Sequence, residues 1–140
     1  MKIGPFLSPL GLPCKAPPLG AIAGVDLRTG QRACMHRHGI VRDQNPSVLP
    51  IPFPMGLASL DGSSITAGGV VFYCRTLDNY LRAYDVATRR KLWQSRLPAG
   101  GQATPMTYRI HDKRLVVVAA GGHESFGTTP GDAVLANDLK

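Results

Sequence analysis

Apolar residues fall in short runs separated by turn formers, at 21–27, 32–37, 69–75, 80–86, 91–97, 103–110, 115–120 and 133–137. Each run is strand-length, and several are β-branched or aromatic, as a pleated, half-buried surface favours. None sustains the 3.6-residue period of an amphipathic helix between an N-cap and a closing glycine. The pattern predicts an all-β chain of antiparallel hairpins. Two stretches interrupt it. The first twenty residues, punctuated by Pro9, Gly11, Pro13, Pro17, Pro18 and Gly20, read as a loop. Prolines at 46, 50, 52 and 54 fit an extended, polyproline-like connection better than a helix or an inner strand.

Two of the predicted hairpins are alike. Gly24-Val25-Asp26-Leu27-Arg28-Thr29-Gly30-Gln31-Arg32-Ala33-Cys34 aligns with Ala83-Tyr84-Asp85-Val86-Ala87-Thr88-Arg89-Arg90-Lys91-Leu92-Trp93, with the aspartates 59 residues apart. A repeat of this length in a glycine-rich all-β chain points to four-stranded propeller blades. The turn favours a residue at positive φ after the threonine. Gly30 meets that demand and Arg89 does not, which predicts strain or widening in the second turn. Trp93, the single tryptophan, suits a wedge between neighbouring sheets. Cys34 at the matching position has far less volume and predicts a poorly filled joint.

Composition and charge narrow the function more than the fold. Sixteen glycines and twelve prolines disfavour a helical bundle, and 44% apolar residues argue against wholesale disorder. No run approaches the roughly 18 apolar residues of a membrane-spanning helix. The N-terminus has an early charge at Lys2 but no apolar core, so no signal peptide is read from it. A net charge of +7 and a pI near 9.8 are compatible with nucleic acid, anionic lipid or an acidic substrate. The basic residues are scattered at predicted turns and not interleaved with aromatics, so they read as solubilising charge and no nucleic-acid partner is assigned.

Cys14, Cys34 and Cys74, odd in number and without a CxxC pair, argue against a disulfide framework while leaving room for one bridge. Cys34, His36 and His38 alternate on one predicted strand and would share a face. Metal binding there would need a fourth ligand; chance alternation is the simpler reading, and no metal site is assigned. His123 sits in a glycine-rich turn with no nucleophile motif around it and reads as a loop residue.

The run Arg96-Leu97-Pro98-Ala99-Gly100-Gly101-Gln102-Ala103-Thr104-Pro105-Met106-Thr107-Tyr108 is similar to the C-terminal part of certain pyrroloquinoline quinone (PQQ) dehydrogenases. These are the membrane-bound glucose dehydrogenases and their quinate-type relatives. Ala119-Ala120-Gly121-Gly122-His123 and Ile65-Thr66-Ala67-Gly68-Gly69-Val70 fit the same family. Ala83, Asp85, Thr88 and Trp93 together resemble its tryptophan-docking motif. The similarity extends from about Gly4 to Leu139.

The resemblance implies an eight-bladed β-propeller, of which this chain would form about two blades and the strands that begin to close it. On that expectation residues 1–20 are a loop and 21–60 a partial blade with its Pro-rich connection. Residues 61–102 are a blade with the docking motif, and 103–140 are closing strands. The implied activity is oxidation of glucose or a related aldose or polyol. An aspartate removes the hydroxyl proton, hydride passes to PQQ, calcium polarises the quinone and ubiquinone takes the electrons. The implied location is the periplasmic side of the inner membrane. The catalytic aspartate and the calcium site are expected outside this chain, which is then a fragment, inactive alone and without a catalytic or metal residue of its own.

Asp78, in Thr76-Leu77-Asp78-Asn79-Tyr80, is the one residue the resemblance places near PQQ, to orient a basic neighbour and tune the cofactor. By itself Leu77-Asp78-Asn79 is ordinary turn chemistry. Leu19, Cys34, Arg89, Glu124 and Thr129 depart from the family's Trp, Gly or basic residues, as drift under relaxed constraint would produce. The alternative is a non-catalytic β-domain that associates with other propeller blades or an anionic surface, because an incomplete propeller exposes sheet edges.

Overall fold

The computed structural model describes residues 6, 8–9, 14–37, 56, 62–74, 78–124 and 128–139. Among the described residues nine strands form three antiparallel sheets. The first pairs β1 (Ala21–Val25) with β2 (Arg32–Arg37). The second runs in the order β3 (Ser64–Ile65), β4 (Val70–Tyr73), β5 (Tyr80–Asp85), β6 (Lys91–Arg96). The third contains β7 (Met106–Ile110), β8 (Lys113–Ala120) and β9 (Ala133–Asp138). Strands adjacent in sequence are adjacent in each sheet, and the three sheets do not close into a ring.

The eight apolar runs correspond to eight of these strands. β3 escapes the pattern because two residues carry no readable alternation. The run from 103 begins as a strand only at Met106, after Pro105, which has no N–H for a ladder. The run from 69 begins at Val70, because Gly69 turns the chain at φ 77°. The prolines from 46 to 54 lie outside the described residues.

The matched hairpins share one backbone. Gly24 faces Cys34 and Val25 faces Arg32 across a bulge; Ala83 faces Trp93 and Tyr84 faces Lys91 across the same bulge. In the first turn the Asp26 N–H donates to the Gln31 carbonyl at 2.9 Å and the Gly30 N–H to the Asp26 carbonyl at 2.7 Å. In the second, Asp85 donates to Arg90 and Arg89 to Asp85, both at 2.9 Å. Arg89 takes a φ of 64°, beside 67° for Gly30. Of the two expected outcomes, widening does not occur. The hydrogen bonds hold the turn shut, and the strain stays in the left-handed backbone of Arg89.

The core lies between the second and third sheets. Phe72, Leu81 and Ala83 from β4 and β5, with Leu97, meet Val116, Val118 and Ala120 from β8. Trp93 is half-buried against this cluster, the wedge its position predicts. Loops knit the same joint: the Gly122 N–H donates to the Gly100 carbonyl at 2.8 Å and the Gly131 N–H to the Gly121 carbonyl at 3.0 Å. Gly131 must be glycine there, because a Cβ would stand 2.4 Å from that of Ala99.

Candidate functional site

Asp78 lies just before β5 and is fully buried, which ordinary turn chemistry would not require. Asn79 follows at φ 55°, a left-handed conformation that asparagine tolerates better than most residues. The Asp78 carboxylate meets the guanidinium of Arg82, four residues on within β5. Arg82 Nη1 donates to Oδ1 at 3.0 Å and Nη2 to Oδ2 at 2.5 Å. Arg82 is itself only 6% exposed. A buried guanidinium is tolerated when a carboxylate answers it with this two-pronged geometry.

Aromatic rings frame the pair. Strand alternation sets Tyr80 on the same face as Arg82, whose guanidinium stands 5.0 Å from the ring centroid. Arg96 approaches the same ring at 5.6 Å. Tyr73 lies opposite Arg82 across the β4–β5 ladder. Asn79 and Arg96 border an open groove with Leu97, Pro98, Thr129 and Leu135; Asp78 does not border it. The Asn79 Oδ1 atom is buried without a hydrogen-bond partner, an acceptor left over at the end of the sheet. The arrangement fixes two cations and one acceptor near one another, with Asp78 anchoring the more buried cation.

Arg82 is the residue that sequence reasoning did not name. Alternation sets it on the face opposite Leu81 and Ala83, with Tyr80 and Tyr84, so nothing local marks it as buried.

The remaining candidates do not join this cluster. Cys34 and His36 line a separate cleft between the first and second sheets, while His38 is outside the described residues. All three cysteines are free thiols: Cys14 exposed, Cys34 half-buried, Cys74 buried with its Sγ 2.9 Å from the Ala103 carbonyl oxygen. His123 is exposed, and its N–H donates to Thr128 Oγ1 at 2.6 Å, which ties the loop. Among the described residues no three His, Cys, Asp or Glu side chains gather as a metal-ligand set. Burial pushes the Tyr84 phenol above its ordinary pKa, and the Thr88 backbone N–H holds the Asp85 carboxyl below its own.

Successive meander sheets, a repeated docking hairpin and a tryptophan wedged between sheets define a protein of the β-propeller blade class. The chain belongs to the PQQ family described as glucose/ethanol/alcohol dehydrogenase, beta-propeller domain, whose profile matches residues 1–116. It is 53% identical over 140 residues to quinoprotein glucose dehydrogenase A of Acinetobacter calcoaceticus, covering 99% of this chain and 18% of that protein. It is 52% identical over 141 residues to quinoprotein glucose dehydrogenase of Escherichia coli strain K12, with the same coverage. To the probable quinate dehydrogenase (quinone) of Xanthomonas campestris pv. juglandis it is 44% identical over 138 residues, 96% of this chain and 17% of that one. Among solved structures a europium-containing methanol dehydrogenase matches with a TM-score of 0.54 and 29% identity, over 73% of this chain and 15% of that chain. The chain thus spans about a fifth of the length of the curated relatives it matches.

The family implies PQQ, and the residues here fit such a group in their chemistry. A quinone bearing carboxylates and a pyrrole N–H calls for a cationic donor and an acceptor, which Arg96 and Asn79 offer at the border of the groove; Arg82 does not border it and is engaged by Asp78.

Proposed function

We propose that this chain forms the C-terminal part of the propeller of a PQQ-dependent dehydrogenase that oxidises glucose or a related aldose or polyol. Ubiquinone would receive the electrons at the periplasmic side of the inner membrane. The observation that supports the reading is the buried Asp78–Arg82 pair, formed at the one carboxylate that the family resemblance takes to lie near PQQ. PQQ, when bound, supplies the hydride acceptor. Asp78 holds the Arg82 side chain in one orientation, so that its charge is fixed before any anionic group arrives. Tyr80 keeps Arg82 and Arg96 on one face. The proton-abstracting aspartate and the calcium ligands are assigned to the rest of the propeller. Within the chain, 21–60 and 61–102 are assigned to successive blades and 103–140 to the closing strands.

Reconstitution of the 140-residue chain with PQQ, calcium and glucose tests the division of labour. No dye-linked turnover is expected, and clear turnover would overturn the assignment of catalysis to other blades. PQQ titration with and without Asp78→Asn tests the site: affinity should fall about tenfold, which is ~1.4 kcal/mol. An unchanged affinity removes Asp78 from it.

A second reading has its own support. Leu27 is 96% exposed and Val134 72%, and Leu92 also faces outward. Such residues suit association with further blades. Size-exclusion chromatography over a range of concentrations checks this, because an autonomous domain would give one concentration-independent monomer peak.

A further inference from the structure

The two joints between sheets are filled differently. Between the second and third sheets, the Trp93 indole from β6 packs against the core. Between the first and second, the matching residue of β2 is Cys34, and a cleft of about 130 Å³ stays open there. Ile22, Cys34 and His36 line it from one side, and Ile65, Val71 and Tyr84 from the other. The Cys34 thiol lies down on the bare backbone of Gly24, where a Cβ would come within 2.9 Å of Sγ, and so leaves the space above it clear.

The exposed wall area is mostly apolar although Ser63, Asp85 and Arg89 also line the cleft, and His36 Nε2 is a buried polar atom with no hydrogen-bond partner. The cleft is open to solvent at Ile65, and a small aromatic molecule that covers its apolar surface removes that surface from water. Tyr84 adds an aromatic side chain to the wall, and the in-plane lone pair of His36 Nε2 is free to accept an N–H. We propose that this cleft binds a small planar aromatic molecule of the indole class. It occupies in the first joint the place that the Trp93 indole occupies in the second, and donates its N–H to His36 Nε2. The site is separate from the Asp78–Arg82 pair and does not depend on the proposed dehydrogenase activity.

The test uses the full chain with Cys14→Ser, so that Cys34 is the accessible thiol and buried Cys74 the internal control. Indole at about ten times its dissociation constant should slow alkylation of Cys34 by iodoacetamide about tenfold, because only the unliganded fraction reacts. Unlabelled indole should give intermolecular NOEs to the methyl groups of Ile22, Ile65 and Val71. N-methylindole, which has no N–H to donate, should bind more weakly. Cys34→Trp should abolish the NOEs by filling the cleft; should that variant fail to fold, the NOEs on the unsubstituted chain decide. Absence of both protection and NOEs overturns the proposal, as do NOEs to residues outside the cleft. Equal binding of indole and N-methylindole overturns the role of His36.

Discussion

Arg82 and Asp78 face each other as a two-pronged ion pair, at 3.0 and 2.5 Å, with neither side chain open to water. Removing one partner strands the other charge in the interior. Asp78→Ala should therefore cost about 3–5 kcal/mol in urea unfolding, while the double change Asp78→Leu with Arg82→Met should cost less than either single change. A double variant as unstable as the sum of the two singles would show that the residues act separately.

Arg89 and Gly30 occupy the same left-handed position in matched turns, at φ 64° and 67°. Non-glycine residues lose roughly 1–2 kcal/mol in that conformation, and glycine returns part of the gain through its freer unfolded chain. Arg89→Gly should stabilise the fold by about 0.5–1 kcal/mol, and Gly30→Arg should destabilise it by a similar amount. Denaturation midpoints of the two variants, moving in opposite directions, check the pair together.

Trp93 fills the joint that Cys34 leaves open. Trp93→Cys would copy the first joint into the second, where the indole leans on the core formed by Leu81, Ala83, Val116 and Val118. The loss should be about 3 kcal/mol, the lower end for removal of a large aromatic side chain, because Trp93 is only half-buried. Circular dichroism is the measurement, since the variant has no tryptophan to report. A loss below about 1 kcal/mol would mean that the second joint does not depend on the indole.

Much of this fold is legible in the residues. Alternation and turn formers place eight strands within a few positions, and the Asp-x-x-Thr spacing anticipates two hairpins whose paired backbone turn bonds match. β3 is hidden because two residues have no period. Arg89 misleads because its turn is held by the hydrogen bonds of Asp85 and Arg90, which override the preference of the residue for negative φ. At the candidate site, Asp78 is readable only through the family resemblance. Asn79 follows it in a left-handed conformation, and its partner Arg82 lies only four residues on, a spacing that by itself does not mark a buried pair. Arg82 looks like any surface arginine because alternation sets it opposite Leu81 and Ala83, whereas both faces of β5 are buried at this point.

Asp85 closes the second turn through its carboxylate as well as its backbone, accepting the Thr88 N–H at 2.6 Å. That bond, followed by the Thr88 hydroxyl, holds the carboxyl below its ordinary value of 3.8. Folding thus favours the charged form, and the stabilisation is complete above 3.8 and is lost as pH falls through the lower folded value. Asp85→Ala removes both the hydrogen bond and its titration. The melting temperature of the parent chain should therefore drop more steeply than that of the variant across this acid window. Above the window the two should differ by a constant amount. Parallel curves through the window would mean that the Thr88 contact does not distinguish the charged from the neutral carboxyl, and the turn would then owe its closure to the backbone hydrogen bonds alone.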